Sequence, residues 1–339
     1  MNKKNIMLET ILIVGYGSIG KRHYQNILKK NRFQIVICSK RNDIEKSENT
    51  IIVTTINDAL KFKPKIAFIT NETSYHIKTA LTLAKNNIHL FIEKPLSNSL
   101  KDIKKLEQIV KKKKLICLVG CDHRFHPCIR KIKEILDDKL LGKIISCSVE
   151  SGSYLPDWHP YEDYRKGYAA RDDLGGGITL TMIHELDFLK WFFGDVVNVF
   201  AVVGKFSNLN VKTDDLSMMT LIFKNNIITH LNLDYFQRPE YKRCKIKGIN
   251  GTIYWNSESN ELKIFLNKEN RWKIIFKAKN FQRNSMFVKE LNYFLKCVKE
   301  NKNTFNDLRE GSNTLNVAIT AKKSSAKGKL LNTEMIGFK

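Results

Sequence analysis

The sequence predicts an α/β domain with a doubly wound parallel sheet, followed by an α+β domain with an open-faced, mostly antiparallel sheet and helices on one side. Three observations predict this. Short β-rich runs alternate with helical patterns up to about residue 140, strands then follow one another almost without helices, and a Gly-rich turn joins the first strand to the first helix. We expect residues 1–122 and 123–339 to form the two domains, with the last helix packing back on the first domain.

The first domain is expected to contain short strands joined by helices. The predicted strands are Thr10–Val14, Phe33–Cys38, Ile51–Val53, Ala67–Thr70, His89–Ile92 and Leu115–Val119. One helix has its apolar positions at Ile77, Ala80, Leu81 and Ala84, spaced i, i+3, i+4, i+7. A second apolar stripe, from Leu100 to Val110, follows the candidate N-caps Ser97 and Asn98.

The second domain is predicted to be rich in strands. A long strand from Ile144 to Tyr154 and a helix from about Thr181 to Phe193 precede seven shorter strands. These are Asn198–Val203, Ser217–Phe223, Ile227–Phe236, Arg243–Ile249, Thr252–Trp255, Leu262–Leu266 and Trp272–Phe276. Polar residues alternate with apolar ones in the third of these, which indicates a sheet with one wet face. Asn250-Gly251 is typical of a hairpin turn, and two helices are expected to close the chain.

Gly15, Tyr16, Gly17, Ser18, Ile19 and Gly20 form a GxGxxG pattern between the first strand and the first helix. The first glycine allows the tight turn, the second lets the backbone approach a pyrophosphate, and the third lets the helix pack closely on the strand. The helix N-terminus then faces the anion. The position at the start of a βαβ series favours a Rossmann dinucleotide site over a purely structural turn.

Ser39, Lys40 and Arg41 follow the second strand, where an NAD site usually has an acidic residue on the ribose 2′-OH. No acid stands there, and these three residues could hold a 2′-phosphate instead. We therefore expect NADP or NAD as cofactor, with NADP preferred. The alternative is a solvated basic loop in a Lys-rich chain.

Two further motifs of the N-terminal half accompany the Gly-rich turn. They are Asn71-Glu72-Thr73 with His76, and Glu93-Lys94-Pro95. With these motifs, the N-terminal half resembles the Gfo/Idh/MocA family of oxidoreductases. The family's second domain has the open-faced sheet that residues 140–280 predict independently. The resemblance implies cofactor contacts from Thr70, Asn71, Thr73, His76, Glu93 and Lys94. It also implies that Lys94 is the catalytic lysine, which could relay a proton beside the nicotinamide. An X-Pro bond such as Lys94-Pro95 can be cis.

A second family motif is expected in the C-terminal half. Gly175-Gly176-Gly177 leads into a helix that carries His184, which the resemblance implies to bind or deprotonate the sugar hydroxyl. The family usually has an Asp one turn before this His, but Thr181 stands there. Asp187 lies three residues after His184 on the same helical face, and we expect it to orient the ring as a third catalytic residue. The alternative is a structural histidine at a helix start.

Further polar and aromatic residues suit a sugar pocket on irregular backbone. The candidate substrate-binding residues are Arg124, His126, Trp158, Tyr164, Arg171 and Thr181. They resemble a branch of the family linked to bacterial surface-sugar synthesis. For each of them, loop packing is an equally good explanation.

The charge of the chain limits the kinds of partner that the sequence predicts. The net charge is +24, but 46 of the 58 basic residues are Lys, and they are spread along the chain without stacking aromatics. We expect anionic small ligands and no nucleic acid.

No apolar run approaches ~18 residues, so no membrane span is predicted. Glu9 and Thr10 interrupt the first apolar stretch, and we expect no signal peptide. Seven scattered cysteines indicate reduced thiols in a cytoplasmic protein without a metal site.

The functional prediction is an NAD(P)-dependent oxidoreductase that transfers hydride to or from a secondary carbon of a sugar or nucleotide-activated sugar. One alternative is a redox-neutral lyase, epimerase or glycosidase with a tightly bound cofactor. Another is a sugar-sensing regulator on the same fold, which would need neither Lys94 nor His184. By analogy of fold, the open sheet face predicts a homodimer or homotetramer.

Overall fold

In this computed structural model, which describes residues 9–45 and 47–333, the chain divides into two compact units. One unit runs to Ser97 and includes Lys101–Gly120 and Phe287–Glu310. The other contains Asn98–Leu100, Cys121–Met286 and the chain from Gly311 onward. The main division thus lies close to the predicted boundary after residue 122.

The first unit contains a parallel sheet. Its strands are β1 (Glu9–Val14), β2 (Phe33–Cys38), β3 (Thr50–Val53), β4 (Ile66–Ile69), β5 (His89–Glu93) and β6 (Cys117–Gly120). The order β3-β2-β1-β4-β5-β6 is that of a doubly wound sheet. The helices between them are α1 (Ser18–Leu28), α2 (Ile56–Leu60), α3 (His76–Lys85) and α4 (Ile103–Lys112). Ile11, Leu12 and Ile13 are fully buried, as expected for a central strand covered on both faces.

Helix α4 begins later than predicted. Its N-cap is Asp102, whose φ of 61° turns the chain into the helix, so Ser97 and Asn98 do not cap it. The apolar stripe correctly predicted a helix here, but its first residue, Leu100, lies before the first helical turn.

The second unit contains a mostly antiparallel sheet, as predicted. After α5 (Pro127–Asp137) come β7 (Ile144–Gly152), α6 (Ile178–Thr181), α7 (His184–Phe193), β8 (Val196–Gly204), β9 (Leu216–Phe223), β10 (Ile228–Asp234), β11 (Tyr241–Gly248), β12 (Gly251–Asn256), β13 (Glu261–Leu266) and β14 (Arg271–Lys277). The strand order is β14-β13-β12-β11-β7-β10-β9-β8, with the short β15 (Leu331–Asn332) beside β8. The pair β7 and β10 is parallel.

Two local features differ from the prediction. Gly248 pairs with Gly251, so Ile249 and Asn250 form the turn of this hairpin, one residue before the predicted Asn250-Gly251. Thr181, where a helix to Phe193 was predicted to begin, instead ends the short helix α6, because Met182 leaves helical geometry with φ −98° and ψ 41°. The chain therefore starts a new helix at His184.

Two long helices, α8 (Asn284–Glu300) and α9 (Leu308–Lys327), follow the last long strand. The helix that completes the core of the first unit is α8, whereas most of α9 groups with the second unit. Leu291 and Phe294 of α8 are fully buried in the first core. The ring of Phe294 meets Phe68 and Phe91 edge-on at 5.8 and 5.6 Å between centroids. The last helix, α9, was predicted to pack back on the first domain, but only its first residues group with the first unit.

Among the described residues, no helix is long and apolar enough to cross a membrane. All seven cysteines are buried and free of disulfides.

Candidate active site

The Gly-rich turn lies between β1 and α1, and its three glycines have different surroundings. Gly15 has a φ of +94°, and a Cβ there would lie 2.6 Å from the Asn71 nitrogen. A Cβ on Gly20 would lie 2.3 Å from the Gly15 oxygen. A Cβ on Gly17 would meet no atom of the described residues within 4 Å. Gly15 and Gly20 therefore need to be glycine for the fold, while Gly17 leaves open space at the N-terminus of α1.

This open space fits a dinucleotide. Gly17 and Ser18 are exposed at the start of α1, whose first turn contains no acidic residue. Backbone N–H groups at a helix N-terminus bind phosphate, and an acid there would repel it. Gly17, Ser18 and Ile19 would hold the pyrophosphate. Tyr16, also predicted to contact the cofactor, is 5% exposed and packs edge-on against Tyr24 at 5.8 Å between centroids.

Thr70 and His76 hold the backbone around the site. The Thr70 hydroxyl lies 3.0 Å from the Val14 oxygen and 2.9 Å from the Gly15 oxygen, which fastens β4 to the turn. His76 is 1% exposed, and its two ring nitrogens each lie 2.9 Å from a backbone oxygen, of Asn71 and Pro95. Thr73 is also buried. In the described structure these side chains position backbone at the C-terminal edge of the sheet.

Strand β5 ends at Glu93, and Lys94 and Pro95 follow directly. The Lys94–Pro95 peptide is cis, as the sequence allowed. The Lys94 N–H donates to Glu93 Oε2 at 3.2 Å, and Glu93 Oε1 lies 2.7 Å from His23 Nε2. Because Glu93 is tied to a buried histidine of α1, the backbone of Lys94 is held while its side chain is only half-buried. His23 was not predicted; its place on the inner face of α1, three residues after Gly20, was the available signal.

An ion pair partly neutralises the positive charge of the loop after β2. Arg41 donates two hydrogen bonds to Asp43, at 2.8 and 2.7 Å, and its backbone N–H donates to Ser39 Oγ at 3.2 Å. This hydrogen-bonded guanidinium lowers the pKa of Asp43 to about 2. Lys40 is exposed. The three residues predicted to bind a 2′-phosphate thus lie together after β2, but Arg41 already has a carboxylate partner.

The second unit places His184 at the start of α7, facing the 3-10 turn Asp122–Phe125. His184 Nδ1 lies 3.4 Å from Asp122 Oδ1. The His123 ring stacks on the His184 ring at 4.3 Å between centroids and 22° between planes. Asp122 is 4% exposed at its side chain and His184 is 13% exposed. The His184 side chain therefore keeps a small accessible surface, while the carboxylate of Asp122 beside it is shielded from water.

Asp187 has a different partner from the one predicted. Arg124 Nε and Nη2 donate to its two carboxylate oxygens at 2.7 and 2.9 Å, and both side chains are almost fully buried. Both oxygens of Asp187 therefore face Arg124 rather than His184. Arg124, predicted to bind substrate, is 2% exposed and joins the 3-10 turn to α7.

Lys242 of β11 lies on the far side of His123. Its ammonium is 3.5 Å from His123 Nε2 and 3.5 Å from Glu185 Oε1. Burial, with Lys242 adding to it, holds the pKa of His123 well below its usual range, so this ring is neutral. Asp122, His123 and His184 have their ligand-type atoms within 4.8 Å of one another, the spacing of a candidate metal cluster. Lys242 already places a positive charge beside it, which disfavours a cation there.

The other predicted substrate residues are spread over the second unit. His126 caps α5 by accepting from the Cys128 N–H at 3.2 Å and packs on Trp255 and Phe281. Trp158 donates to Ser153 Oγ at 2.8 Å, Tyr164 accepts from the Asn210 N–H, and Arg171 pairs with Asp173. Thr181 is 3% exposed and so does not present its side chain at the surface. These contacts agree with the loop-packing alternative; half-exposed Trp158, Tyr164 and Arg171 stay accessible.

Two family models match the chain. One, described as an oxidoreductase family with an NAD-binding Rossmann fold, matches residues 10–121. The other, described as the GFO/IDH/MocA C-terminal domain, matches residues 129–254. Together they cover well over half of the chain.

Curated relatives and solved structures agree with these matches. Myo-inositol 2-dehydrogenase of Thermotoga maritima is 25% identical over 336 residues, 92% of this chain and 95% of that protein. Levoglucosan dehydrogenase of Pseudarthrobacter phenanthrenivorans is 23% identical over 54% of this chain and 53% of its own. A solved levoglucosan dehydrogenase in complex with NADH has a TM-score of 0.86 at 16% identity, covering 97% of this chain and 100% of that one. The fold is thus shared along the chain. Taken with the Gly-rich turn and Glu93-Lys94-Pro95, the two model matches show that this chain belongs to the GFO/IDH/MocA family of NAD-binding oxidoreductases.

Proposed function

We propose that the protein is an NAD(P)-dependent dehydrogenase or reductase acting on a secondary CH–OH group of a sugar or nucleotide-activated sugar. The observation that carries this is the half-buried Lys94, held by Glu93 at the C-terminal edge of the sheet whose Gly-rich turn leaves space for a dinucleotide. Ligands of open α/β sheets bind at that edge. Relatives named as inositol, levoglucosan and xylose dehydrogenases support the substrate class.

Lys94 and His184 are proposed to handle the proton. Bound NAD(P) supplies the acceptor or donor of hydride. During oxidation the substrate hydroxyl must lose its proton, and Lys94 accepts it as general base; in reduction Lys94 returns it. His184 is proposed to bind the sugar hydroxyl or to share its proton. Trp158, Tyr164 and Arg171 are proposed to contact the rest of the sugar.

A screen of substrates tests this function. Sugars and nucleotide sugars would be incubated with each cofactor, and products followed by mass spectrometry together with NAD(P)H absorbance. The expected result is cofactor reduction or oxidation in a one-to-one ratio with a product that differs by two hydrogens. The matched control is Lys94→Arg, which keeps the charge but cannot release a proton near neutral pH. A sugar turnover that Lys94→Arg leaves intact would contradict the assigned role.

The redox-neutral alternative has support of its own. A relative named 2,7-anhydro-N-acetylneuraminate hydratase, from Escherichia coli, is 24% identical over 52% of this chain and 48% of that protein. In such a reaction the cofactor ends as it began. Product formation without net change in NAD(P)H therefore identifies this alternative. A regulator would bind sugar without any turnover.

For the cofactor, we propose NADP over NAD, because Ser39, Lys40 and Arg41 follow β2 and no acid precedes Asp43 there. The Arg41–Asp43 ion pair would have to open or rotate for the guanidinium to meet a 2′-phosphate. Calorimetric titration with both dinucleotides tests the proposal. A tenfold preference for NAD, about 1.4 kcal/mol, would contradict it.

We further propose a homodimer or homotetramer, in the cytoplasm. The sheet of the second unit exposes Phe200 and Val202 on β8, Met218 on β9 and Ile228 on β10. These side chains alternate with buried ones, so they share the open face, and a cluster of exposed apolar residues is typical of an interaction surface. Sedimentation of wild type and Met218→Lys tests the state; an unchanged monomer in both would contradict it.

A further inference from the structure

We propose that His23 is a positioning residue for Lys94: through the carboxylate of Glu93 it fixes the backbone of the lysine against α1, the helix whose N-terminus faces the dinucleotide. The inference rests on the proposed function, in which Lys94 moves the substrate proton beside the bound cofactor. His23 itself is fully buried, so it acts through Glu93 and not by contact with the substrate.

A single carboxylate joins the helix to the lysine. His23 Nε2 lies 2.7 Å from Glu93 Oε1, and the Lys94 N–H donates to Glu93 Oε2 at 3.2 Å. Each oxygen therefore has its own partner, one on α1 and one directly after β5. Turning the carboxylate about its last torsion would break both bonds, because each depends on direction as well as distance. The side chain of Glu93 is thus a link of fixed length between α1 and Lys94.

The surroundings make the His23–Glu93 bond difficult to replace. The His23 ring lies among the rings of Phe68, Phe91 and Phe287, at 5.2, 4.9 and 6.0 Å between centroids. The side chains of His23 and Glu93 are 0% and 8% exposed, and a buried carboxylate that loses its donor is costly. Within the described residues, Nδ1 of His23 has no hydrogen-bond partner. The arrangement favours the tautomer with the proton on Nε2, where the carboxylate accepts it.

Helix α1 relates this bond to the cofactor. The helix begins at Ser18, and the pyrophosphate is proposed to bind at that end. His23 lies on the same helix about 7–8 Å further along its axis, at 1.5 Å per residue. Because one rigid helix carries both the anion-binding end and His23, the bond to Glu93 holds Lys94 in a fixed relation to the bound dinucleotide. A displacement of ~1 Å between reacting groups can cost about 10²-fold in rate.

A purely structural pair is the alternative, and it makes a different prediction. If the His23–Glu93 bond only stabilised the first unit, its loss would lower the free energy of unfolding and leave the turnover of the folded protein unchanged. A positioning residue lowers kcat of the folded protein instead. Dinucleotide affinity should then stay close to wild type, because the backbone N–H groups of residues 17–19 bind the pyrophosphate.

The first test removes the donor. His23→Leu has no ring nitrogen and a similar volume, and it is expected to lower kcat by about 10–10²-fold with KM and dinucleotide affinity close to wild type. His23→Gln returns an amide donor near the position of Nε2, and its kcat should recover about tenfold over His23→Leu.

The matched control is Thr304→Val. The Thr304 hydroxyl donates to the carbonyl oxygen of Cys117, which begins β6 at the opposite edge of the sheet. Both variants therefore remove one buried hydrogen bond from the first unit, but only His23→Leu removes the link to Lys94. Thr304→Val should keep wild-type kcat.

A second readout does not depend on turnover. Labelling glutamate with carbonyl ¹³C and lysine with ¹⁵N selects the amides of two Glu-Lys pairs, Glu45-Lys46 and Glu93-Lys94, and Lys94→Arg identifies the second. Hydrogen exchange of the Lys94 amide should be at least tenfold faster in His23→Leu and unchanged in Thr304→Val, because the carboxylate is no longer aimed at this N–H. In ¹⁵N spectra of the wild-type imidazole, the proton of His23 should be bound to Nε2.

The outcomes separate the inference from the proposed function. Wild-type kcat in a folded His23→Leu would overturn the inference, and so would a lowered kcat with unchanged exchange of the Lys94 amide, or a proton on Nδ1 of His23. If His23→Leu does not fold, Glu93→Gln takes its place; it leaves one acceptor oxygen for two donors, and the same changes in kcat and exchange are expected. A wild-type protein without redox turnover would refute only the proposed function, and the exchange and tautomer measurements would still decide whether His23 holds Lys94.

Discussion

The glycines of the dinucleotide turn lead to a prediction that distinguishes the stability of the fold from the binding of the dinucleotide. Gly15→Ala is expected to unfold the protein more easily, while Gly17→Ala, the same chemical change two residues later, is expected to leave the fold and weaken dinucleotide binding. The reason is local: the added methyl group meets backbone at one position and empty space at the other.

The structure allows the size of each effect to be worked out. At Gly15, with φ +94°, an L-residue in left-handed geometry costs roughly 1–2 kcal/mol. The Cβ would also lie 2.6 Å from the Asn71 nitrogen, and relieving such an overlap costs typically about 1–3 kcal/mol. The free energy of unfolding should therefore fall by about 2–5 kcal/mol.

At Gly17 the backbone is already suitable for any residue. Its φ of −76° and ψ of −169° are extended, and in the described part of the chain no atom lies within 4 Å of an added Cβ. Alanine is a poorer N-cap than glycine but restricts the unfolded chain, so the two effects offset to within about 1 kcal/mol. The methyl group does occupy the approach to the helix N-terminus, and dinucleotide affinity should fall at least tenfold, about 1.4 kcal/mol. Gly17→Val should lose more.

Urea unfolding of each variant without cofactor gives the first quantity, and calorimetric titration with NAD and NADP gives the second. Gly17→Ala is the matched control for the stability of Gly15→Ala, since both add one methyl group. Equal stability of the two variants would refute the steric reasoning. Wild-type dinucleotide affinity in a folded Gly17→Val would refute the assignment of the site.

Three further predictions concern charge and protons. Lys94→Arg and Lys94→Ala should both lower turnover by roughly 10²–10⁴-fold while dinucleotide affinity, measured by calorimetry, is retained; an active Arg variant would move the proton step elsewhere. Arg124→Met should lower the free energy of unfolding by about 3–5 kcal/mol in urea titrations, because Asp187 would stay buried without its partner; a loss below 1 kcal/mol would contradict this. Burial lowers the pKa of His76 and His123, so the unfolded chain binds more protons below about pH 6.5 and stability should fall with acid, by up to about 1.4 kcal/mol per pH unit for each; urea midpoints that stay constant from pH 7 to 5 would contradict it.

Local sequence patterns predicted the fold well, because the residue preferences of each segment agree with the element that the segment forms. The strand Phe33–Cys38 has the predicted bounds, since its apolar run is bordered by residues that favour turns. The break at Met182 was not predictable from the local pattern, because Leu180, Met182 and Ile183 are apolar and buried like the residues of a continuing helix. The sequence also gave no sign that β7 and β10 are parallel, since this follows from which strands meet in space.

Sequence reasoning identified the helix of His184 but not the acid that faces it, and the difference has a physical basis. Helical spacing predicts that Asp187 and His184 lie on the same face of one helix, because an α-helix has 3.6 residues per turn. It does not predict contacts from other segments. In the structure, the guanidinium of Arg124 donates to both oxygens of Asp187. Arg124 and Asp122 belong to the same 3-10 turn, and Asp122 Oδ1 lies 3.4 Å from His184 Nδ1.

The Arg124–Asp187 pair bears on His184 through the helix rather than through the ring. Arg124 meets both carboxylate oxygens of Asp187, at 2.7 and 2.9 Å, and such a bidentate bond fixes direction and distance between the 3-10 turn Asp122–Phe125 and α7. His184 is the first residue of α7 and lies three residues before Asp187, so the same bond orders the helix start that carries the imidazole. Asp187 therefore affects the position of His184 through the backbone of α7, although both of its oxygens face Arg124.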